Sequence, residues 1–325
     1  MELALDPVDP ATLHGWTPVR VSVTTGAIEW ALIDEPFMEP FFEQTADRAM
    51  RHPFNLAFSR RTPLATLDAL AAIAPERAPA GFIFHMSRCG STLIAQMLAQ
   101  LSPAIVLSEP QPLDALLRLR GRGVDDVTLC RWLRAMMSAL ARPQSGRRLL
   151  FVKWHAWHAL ELPLIRRAFP GVPWVFVFRE PRAVLRSHER MPGAEVMAGM
   201  MGSPGDGIGT APGDAEPADE HAARVLAAFC EAALAQSDAK ACAFVEYAGL
   251  PDTVFSELLP LFGVEPAADE LVRMRETAGR DTKAPSTLSA APAGGRVAWP
   301  GIEQAAVRWL DAPYAALRAA SARAR

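Results

Sequence analysis

A short polar turn between two apolar stretches is the first place in this chain where residue types and spacing could do chemistry. Residues 81–98 read GFIFHMSRCGSTLIAQML, so an apolar run ends at Arg88 and Gly90, and an apolar helical pattern starts at once with Ser91 and Thr92. A glycine lets a ligand approach the backbone, and the first N–H groups of a helix have no partner within it. With two hydroxyl donors added, the turn predicts an anion site at a helix N-terminus.

The turn differs from the loop that binds magnesium-bound triphosphates. That loop needs Gly-x-x-x-x-Gly-Lys-Ser/Thr, in which the lysine reaches the terminal phosphates, and neither the spacing nor the lysine is present here. The positive charge comes instead from Arg88, two positions before the glycine. Because the chain has only three lysines, Lys153, Lys240 and Lys283, a lysine inside a motif carries more weight than a surface arginine.

Cys89 lies within the same turn. Beside Arg88 at a helix N-terminus, its thiol pKa could be lowered, which would make it reactive. No partner histidine or second cysteine is evident in the turn. A small space-filling residue is therefore favoured over a nucleophile.

A second cluster, VFVFREPRAVLRSH, could bind another anionic group. Arg179 ends an apolar run, Pro181 suits the first position of a helix, and Ser187 follows the arginine by eight residues, about two helical turns later. An arginine at a strand end and a serine on the next helix could hold one phosphate together. Glu180 could be mistaken for a metal ligand, but its neighbour Arg179 makes the site better suited to an anion.

Strands and helices that alternate along the chain must position these clusters. Short apolar runs without polar alternation predict strands buried on both faces, and they lie at 81–86, 104–109, 148–154, 172–179 and 242–247. Helical patterns fall between them at 92–101, 112–141, 158–168, 181–190 and 219–237. This alternation predicts an α/β fold, a three-layer parallel sheet flanked by helices, with its ligand at the carboxyl ends of the strands.

Two parts of the chain do not follow this alternation. Residues 1–79 form an N-terminal appendage of undetermined role, in which 19–33 could form a hairpin. Residues 191–218 are rich in glycine, methionine and proline without a period, and a segment of this length is a functional lid or a disordered insertion. The expected organisation is therefore an appendage over 1–79 followed by one α/β domain over 80–325.

Composition excludes several classes of protein. The 325 residues carry a formal net charge of −3, so there is no general attraction to nucleic acid, and any anion site must be a local cluster. The four cysteines have neither metal-ligand spacing nor the density of a disulfide framework. No apolar run reaches the roughly 20 residues of a membrane span, and the N-terminus is unlike a signal peptide. We therefore expect a soluble, cytoplasmic protein without a metal site or transmembrane segment, of undetermined oligomeric state.

The two anion clusters resemble those of the sulfotransferases that use 3′-phosphoadenosine 5′-phosphosulfate (PAPS). The segment SRCGST is similar to their 5′-phosphosulfate loop, in which a lysine or arginine precedes a Gly-Thr or Gly-Ser pair. FREPRAVLRS is similar to their 3′-phosphate segment, where an arginine and a serine are also eight residues apart. Two motifs in the same order, each after a predicted strand, are more specific than either alone. The resemblance covers about residues 81–265, more weakly to 318, and implies a P-loop-type sheet.

The resemblance also implies roles for individual residues. VKWHAW is similar to a Lys-x-His segment of cytosolic sulfotransferases, which implies that Lys153 contacts the sulfate and that His155 is a candidate base. Glu109, in VLSEPQPLDALL, is similar to a carboxylate of glycan- and lipid-acting members. A strand-end carboxylate facing the loop is well placed to take a hydroxyl proton. Glu109 is preferred on that ground, and both candidates for the base stay open.

The implied donor site combines the phosphosulfate loop, the 3′-phosphate segment and a late clamp. Its residues would be Arg88, Cys89, Gly90, Ser91, Thr92, Arg179, Ser187, Arg280 and Lys283. The last two are substitutes, because the family's Arg-Lys-Gly clamp is absent as such and AGRDTKAPS stands in that region. The implied reaction is a metal-independent in-line transfer from PAPS to a hydroxyl or amine of a small-molecule, lipid or glycan acceptor, with Arg88 and Lys153 stabilising charge.

Two alternatives remain open at this point. One is a nucleotide-dependent small-molecule kinase of the P-loop superfamily, against which the absent Gly-Lys-Ser/Thr and the absent metal carboxylate both count. The other is a binding protein that keeps the fold without catalysis. The number of site residues retained counts against that second interpretation.

Overall fold

The described chain forms a large parallel sheet and a small antiparallel sheet, with helices between and after their strands. The computed structural model describes residues 9–73, 78–141, 148–197, 199–200, 216–237, 241–279 and 299–323. The strands are β1 (Trp16–Ser22), β2 (Ala27–Leu32), β3 (Arg60–Pro63), β4 (Gly81–His85), β5 (Ala104–Ser108), β6 (Leu149–Lys153), β7 (Trp174–Phe178) and β8 (Cys242–Glu246). The helices are α1 (Phe42–Arg51), α2 (Pro53–Ala57), α3 (Thr66–Ile73), α4 (Ser91–Leu98), α5 (Gln111–Leu117), α6 (Asp126–Leu140), α7 (Leu162–Ala168), α8 (Pro181–Arg190), α9 (Ala218–Leu234), α10 (Leu259–Leu261), α11 (Ala268–Gly279), α12 (Ile302–Ala305) and α13 (Asp311–Arg323).

The large sheet contains five parallel strands in the order β5–β6–β4–β7–β8. Every residue of β4, β5 and β7 is buried, as expected for strands that read as unbroken apolar runs. The five strands predicted from those runs are all confirmed, each to within two residues at its ends. The α/β class with a parallel sheet is therefore confirmed as well.

Helices cover both faces of this sheet. The crossover from β4 through α4 leads toward the β5 edge, whereas the connections from β5 to β6, β6 to β7 and β7 to β8 all run the other way across the sheet. Because such crossovers are right-handed, α4 lies on one face and α6, α7 and α9 lie on the other. α11 packs against α4 and extends the first of these layers.

The prediction of a single helix over 112–141 is wrong. The structure has two helices there, α5 and α6, and the turn between them contains Gly121 and Gly123 with φ of +75° and +89°. Backbone in this left-handed region cannot continue a helix. Asp125 then starts α6, because its side chain accepts hydrogen bonds from N–H groups of the first turn.

The N-terminal region is a small sheet packed against the α/β core. β1 and β2 form the predicted hairpin, and β3 pairs with β2. Gln111, the first residue of α5, accepts a hydrogen bond from the N–H of Val21 at 2.8 Å and donates to the Val21 carbonyl at 2.9 Å. This pair of bonds attaches β1 directly beside the end of β5.

The carboxyl ends of the five strands bring the candidate residues to one edge of the sheet. β4 leads into the loop 86–90, β5 is followed by Glu109, and β6 ends at Lys153. β7 is followed by Arg179 and β8 by Tyr247. The chain leaves β4 in one direction and later crosses it in the other, and open α/β sheets bind ligands at such a switch point.

Candidate active site

The loop after β4 is a tight turn that contains left-handed backbone. Ser87, Arg88 and Gly90 have φ of +77°, +50° and +87°, a region that residues other than glycine adopt only rarely. A Cβ added to Gly90 would lie 2.8 Å from the ring of Tyr247. Glycine is therefore required at position 90 both by conformation and by space.

Main-chain donors of this loop are available to a ligand. Within the described ranges, the N–H groups of Arg88, Cys89 and Gly90 donate to no carbonyl or side chain. α4 begins directly afterwards, and the first N–H groups of a helix carry partial positive charge without an intrahelical acceptor. The loop thus offers the succession of N–H groups that binds phosphate and similar anions in other proteins.

Arg88 and Arg179 bring two guanidinium groups to the loop. Arg179 Nη1 donates to the carbonyl oxygen of Arg88 at 3.4 Å, and the guanidinium carbon of Arg179 lies 4.3 Å from the centre of the Tyr247 ring. The ring contact holds Arg179 beside the loop. Arg88 donates through Nη2 to the carbonyl of Met191 at 2.8 Å. An anion in the loop could replace that carbonyl as the partner of Arg88.

Cys89 is buried beneath the loop. Its Sγ donates to the carbonyl oxygen of Val177 at 3.1 Å, and burial raises the pKa of the thiol to about 12. The thiol is therefore protonated at neutral pH and a poor nucleophile. Ser91 is buried and Thr92 half-buried in the first turn of α4.

Four polar side chains meet at the carboxyl ends of β4, β5 and β6. Glu109 forms an ion pair with Lys153 through Oε1, and its Oε2 lies 3.2 Å from Nδ1 of His155. His85 completes the cluster, with Nε2 3.5 Å from Glu109 Oε1. Since His85 Nδ1 accepts a hydrogen bond from the N–H of Ser87, its proton is assigned to Nε2, on the side of Glu109. Glu109 and His155, the two candidates for the base, are therefore in direct contact with each other.

Neighbouring charges set the protonation of this cluster. Burial by itself would raise the pKa of Glu109, but Lys153 and His155 outweigh it and hold that pKa well below its usual range. Burial opposes the charge on His155, yet the contact with Glu109 prevails and raises the pKa of His155 above its ordinary value. Burial, with Lys153, lowers the pKa of His85. Glu109 is therefore a weak base, whereas the raised pKa of His155 makes it the better proton acceptor of the two.

Lys153 is the most enclosed member of the cluster. It is 1% exposed, and its Nζ lies 5.1 Å from the centre of the Phe41 ring, at the start of α1 in the N-terminal region. The ammonium group is covered by Phe41 and paired with Glu109. A direct contact between Lys153 and a sulfate, as the sequence resemblance implies, would require this cover to move. In the arrangement observed, Lys153 stabilises the ionised form of Glu109.

A carboxylate that the sequence did not single out also contacts the loop. The Ser87 hydroxyl hydrogen-bonds to Glu195, which lies in a short 3₁₀ turn near the start of the predicted lid 191–218. With the Met191 carbonyl on Arg88, this gives the segment two contacts with the loop. Glu195 stands in a stretch without hydrophobic period, so no sequence pattern marked it as a site residue.

Some predicted donor-site residues are not joined to the loop in the described chain. Ser187 is half-buried on α8, and among the described residues it forms no hydrogen bond with Arg179. Arg280 and Lys283 lie outside the described residues, as does 201–215 of the predicted lid.

Neither a metal site nor a membrane-spanning helix is present in the described part of the chain. No group of three or more histidine, cysteine, aspartate or glutamate side chains in them is arranged to hold a metal ion. No helix among the described residues combines the length and the apolar character needed to span a membrane.

Two bacterial sulfotransferases are among the solved structures that resemble this chain. One, from Mycobacterium avium, aligns with a TM-score of 0.46 and 12% sequence identity over 82% of this chain and 82% of its own. The other, from Alicyclobacillus acidocaldarius, aligns with a TM-score of 0.42 and 14% identity over 75% of this chain and 95% of its own. No protein-family model matches the sequence, and no curated protein matches it. At this level of similarity, the chemistry of the chain has to be inferred from its own residues.

Proposed function

We propose that this protein is a sulfotransferase that moves a sulfuryl group from PAPS to a hydroxyl, or an amine, of a small-molecule, lipid or glycan acceptor. One observation carries the proposal, the bonded pair of Glu109 and His155 beside the loop of Arg88. Transfer from an anionic donor to a hydroxyl needs an anion site and a base next to each other. The loop and this pair, at the switch point of the sheet, support both requirements.

The loop and the two arginines fit the donor. Main-chain N–H groups at 88–90 and the guanidinium of Arg88 would bind the 5′-phosphosulfate, since both suit a compact anion at a helix N-terminus. Arg179, held against Tyr247, would bind the 3′-phosphate together with Ser187. The absence of a Gly-Lys-Ser/Thr sequence supports PAPS over a magnesium-bound triphosphate.

His155 is proposed as the base, with Glu109 as its orienting partner. Both oxygens of Glu109 face cluster members, Oε1 at Lys153 and Oε2 at His155, and its low pKa makes it a weak proton acceptor. A neutral His155 that donates its Nδ1–H to Glu109 keeps Nε2 as the acceptor of a proton, and the carboxylate then stabilises the imidazolium. This assignment reverses the preference for Glu109 that the sequence alone supported.

The proposed step is an in-line displacement at sulfur. A bond forms between the acceptor oxygen and sulfur, while the bond between sulfur and the bridging oxygen of the phosphosulfate breaks. The hydroxyl proton passes to Nε2 of His155, and the leaving group is 3′-phosphoadenosine 5′-phosphate. Arg88 stabilises the negative charge that builds on the bridging oxygen.

The rate of transfer should fall on the acid side of neutrality. Only the neutral form of His155 accepts a proton, so activity is lost as the pH drops through the pKa of His155, which Glu109 holds above its ordinary value. A profile of kcat/KM against pH measures this fall, which forms the acidic limb of the profile. Glu109→Gln removes the contacting charge and should move the limb to lower pH. An identical limb in both proteins would contradict the proposed pairing.

Loss of the Arg179 guanidinium should weaken nucleotide binding more than it slows chemistry. Hydrogen bonds to charged groups contribute about 1.5–3 kcal/mol, so Arg179→Ala should raise the Kd for 3′-phosphoadenosine 5′-phosphate about 10- to 100-fold in calorimetry. Arg186→Ala is the matched control, because Arg186 is an exposed arginine of the following helix that pairs with Glu303 at 3.1 Å. Equal affinities of the Arg179→Ala variant and the unmodified chain would count against the 3′-phosphate role.

Ligand-induced stabilisation tests the proposed donor directly. A ligand that binds only the folded state raises the melting temperature, so 3′-phosphoadenosine 5′-phosphate should do so and magnesium-ATP should not. A transfer assay with radiolabelled PAPS and a cell extract would then identify the labelled acceptor. Stabilisation by magnesium-ATP alone would replace the proposal with a kinase, and nucleotide binding without any labelled product would indicate a non-catalytic binding protein.

A further inference from the structure

Half-buried Asp114 and fully buried His158 form a pair directly behind His155. His158 Nδ1 accepts a hydrogen bond from the backbone N–H of His155 at 3.2 Å, and His158 Nε2 lies 3.2 Å from Oδ1 of Asp114. The rings of His155 and His158 also meet edge to face, with centroids 5.2 Å apart and planes at 86°. His158 therefore contacts both the backbone and the ring of the proposed base.

Asp114 is held as a carboxylate by several donors. Its Oδ1 accepts from Nε1 of Trp157 at 2.9 Å, and its Oδ2 accepts from Nε of Arg118 at 2.7 Å. The guanidinium of Arg118 in turn lies 5.0 Å from the centre of the Trp157 ring. Burial alone would raise the pKa of Asp114, but the bond to His158 and the neighbouring cations hold it well below its usual range. Asp114 is thus ionised near neutral pH.

The tautomer of His158 follows from its two partners. Nδ1 accepts from a main-chain N–H, so the ring proton is on Nε2, where it is donated to Asp114. His158 is fully buried, and this burial lowers its pKa to about 4. The ring is neutral near pH 7 and transmits a fixed orientation from Asp114 to His155.

Capping of the 3₁₀ turn at Ala156–Glu161 does not account for this construction. A helical turn can be capped by one short polar side chain, or by glutamine or glutamate three residues inside it. A cap of either kind would not need the carboxylate of Asp114. Withdrawing a carboxylate from water costs free energy unless it is fully paired. The ring contact with His155 is the additional feature, and a glutamine at position 158 could not provide it.

We infer that Asp114 and His158 are positioning residues for the proposed reaction. Through His158, the Asp114 carboxylate holds His155 with Nδ1 at Glu109 and leaves Nε2 for the acceptor. This inference rests on the proposed function in taking His155 as the base. The charged and titratable groups that face His155 come from α1, the end of β5, α5, β6 and the 3₁₀ turn. They are Glu43, Glu109, Asp114, Lys153 and His158.

Histidine NMR titration of the ligand-free protein tests the inference. Asp114→Asn keeps the shape of the side chain and removes one of the charges that favour protonated His155, so His155 should titrate at lower pH than in the unmodified chain. Asp68→Asn is a matched control, because Asp68 likewise accepts from a tryptophan Nε1 and an arginine Nε, both at 2.9 Å, but on α3. His155 should titrate normally in that control. An unchanged His155 titration in Asp114→Asn would overturn the inference.

His158→Gln separates positioning from capping. Glutamine can still accept from the His155 N–H, so a residue that only caps the turn should be replaceable without loss. We expect a melting temperature near that of the unmodified chain, with a roughly tenfold or greater loss of kcat for hydrolysis of PAPS by water, since small misplacements of a catalytic group are costly. The KM for PAPS should stay unchanged. Full kcat in this variant would overturn the inference. A chain that binds no 3′-phosphoadenosine 5′-phosphate would instead refute the proposed function, and the ligand-free titration would still decide the role of Asp114.

Discussion

Arg88→Ala should lower the rate of sulfuryl transfer by about 10²–10³ while the protein stays folded. Removing one donor that stabilises transition-state charge typically costs that much, and the proposed role of Arg88 is to neutralise the bridging oxygen as the donor departs. Among the described residues, the hydrogen bond that the Arg88 side chain donates is an exposed one to the Met191 carbonyl at 2.8 Å. Its loss should therefore change the melting temperature little. Release of 3′-phosphoadenosine 5′-phosphate from PAPS measures the rate.

Two companion variants sharpen this experiment. Arg88→Lys keeps the charge but loses the planar pair of donors. Its rate of sulfuryl transfer should therefore lie between those of Arg88→Ala and the unmodified chain. Arg186→Ala, which removes an exposed arginine paired with Glu303, should leave the rate unchanged. A near-normal rate for Arg88→Ala would remove the main support for the phosphosulfate loop. An equal loss of rate in Arg186→Ala would show that removing any positive charge in this region slows the reaction, whatever its position.

His155→Gln should lower kcat by about 10²–10⁴, the usual contribution of a general base. His155 lies at the end of β6, across β4 from Arg179, so the Kd for 3′-phosphoadenosine 5′-phosphate should change little. A steady-state assay with radiolabelled PAPS and the identified acceptor measures the loss. The variant thus separates the chemical step from donor binding.

The acidity of the acceptor distinguishes a base from a structural residue. A phenol that is already ionised at neutral pH needs no proton acceptor, so its transfer rate should be much less sensitive to His155→Gln than that of an alcohol. Equal losses for both acceptors would contradict the role of His155 in proton transfer. If Glu109→Gln then showed the selective loss, the carboxylate would be the base, as the sequence alone had favoured.

The N-terminal region, which the sequence left as an appendage of undetermined role, lies beside the candidate active site. Its first strand is bonded to Gln111, and its Phe41 covers the ammonium of Lys153. Glu43, the second residue of α1, has a pKa that burial raises above its ordinary value, and it lies close enough to His155 for the two charges to interact. No apolar or polar period within residues 1–79 indicates these contacts, because they depend on where the small sheet docks.

Local patterns predicted most of the secondary structure. Each strand of the large sheet could be located because a strand covered on both faces must be apolar at every position, as β4, β5 and β7 are. The start of α8 at Pro181 and of α4 at Ser91 followed from residues that suit a helix N-terminus. The prediction of a single helix over 112–141 was wrong. It followed the helical period of the apolar residues and gave too little weight to Gly121 and Gly123, whose left-handed backbone separates the two helices.

Pairs that are distant in the chain could not be predicted in this way. Glu195 contacts Ser87 across more than one hundred residues, and Asp114 meets His158 across forty-four. Such contacts depend on strand order and on side-chain direction, neither of which leaves a periodic trace in the sequence. The same holds for Lys153, whose predicted place at a ligand-facing strand end did not reveal that Phe41 and Glu109 enclose it.

By itself, the sequence determined the alternation of strands and helices and the glycine turn after β4, and it gave two candidates for the base, Glu109 and His155. Only the tertiary structure shows that these two candidate residues contact each other. β5 pairs with β6 so that Ser108 lies opposite Lys153, and the residues that follow the two strands, Glu109 and His155, therefore reach each other at 3.2 Å. Which strand lies beside which is settled by packing of the whole sheet. Only that packing places a carboxylate where it can raise the pKa of a histidine.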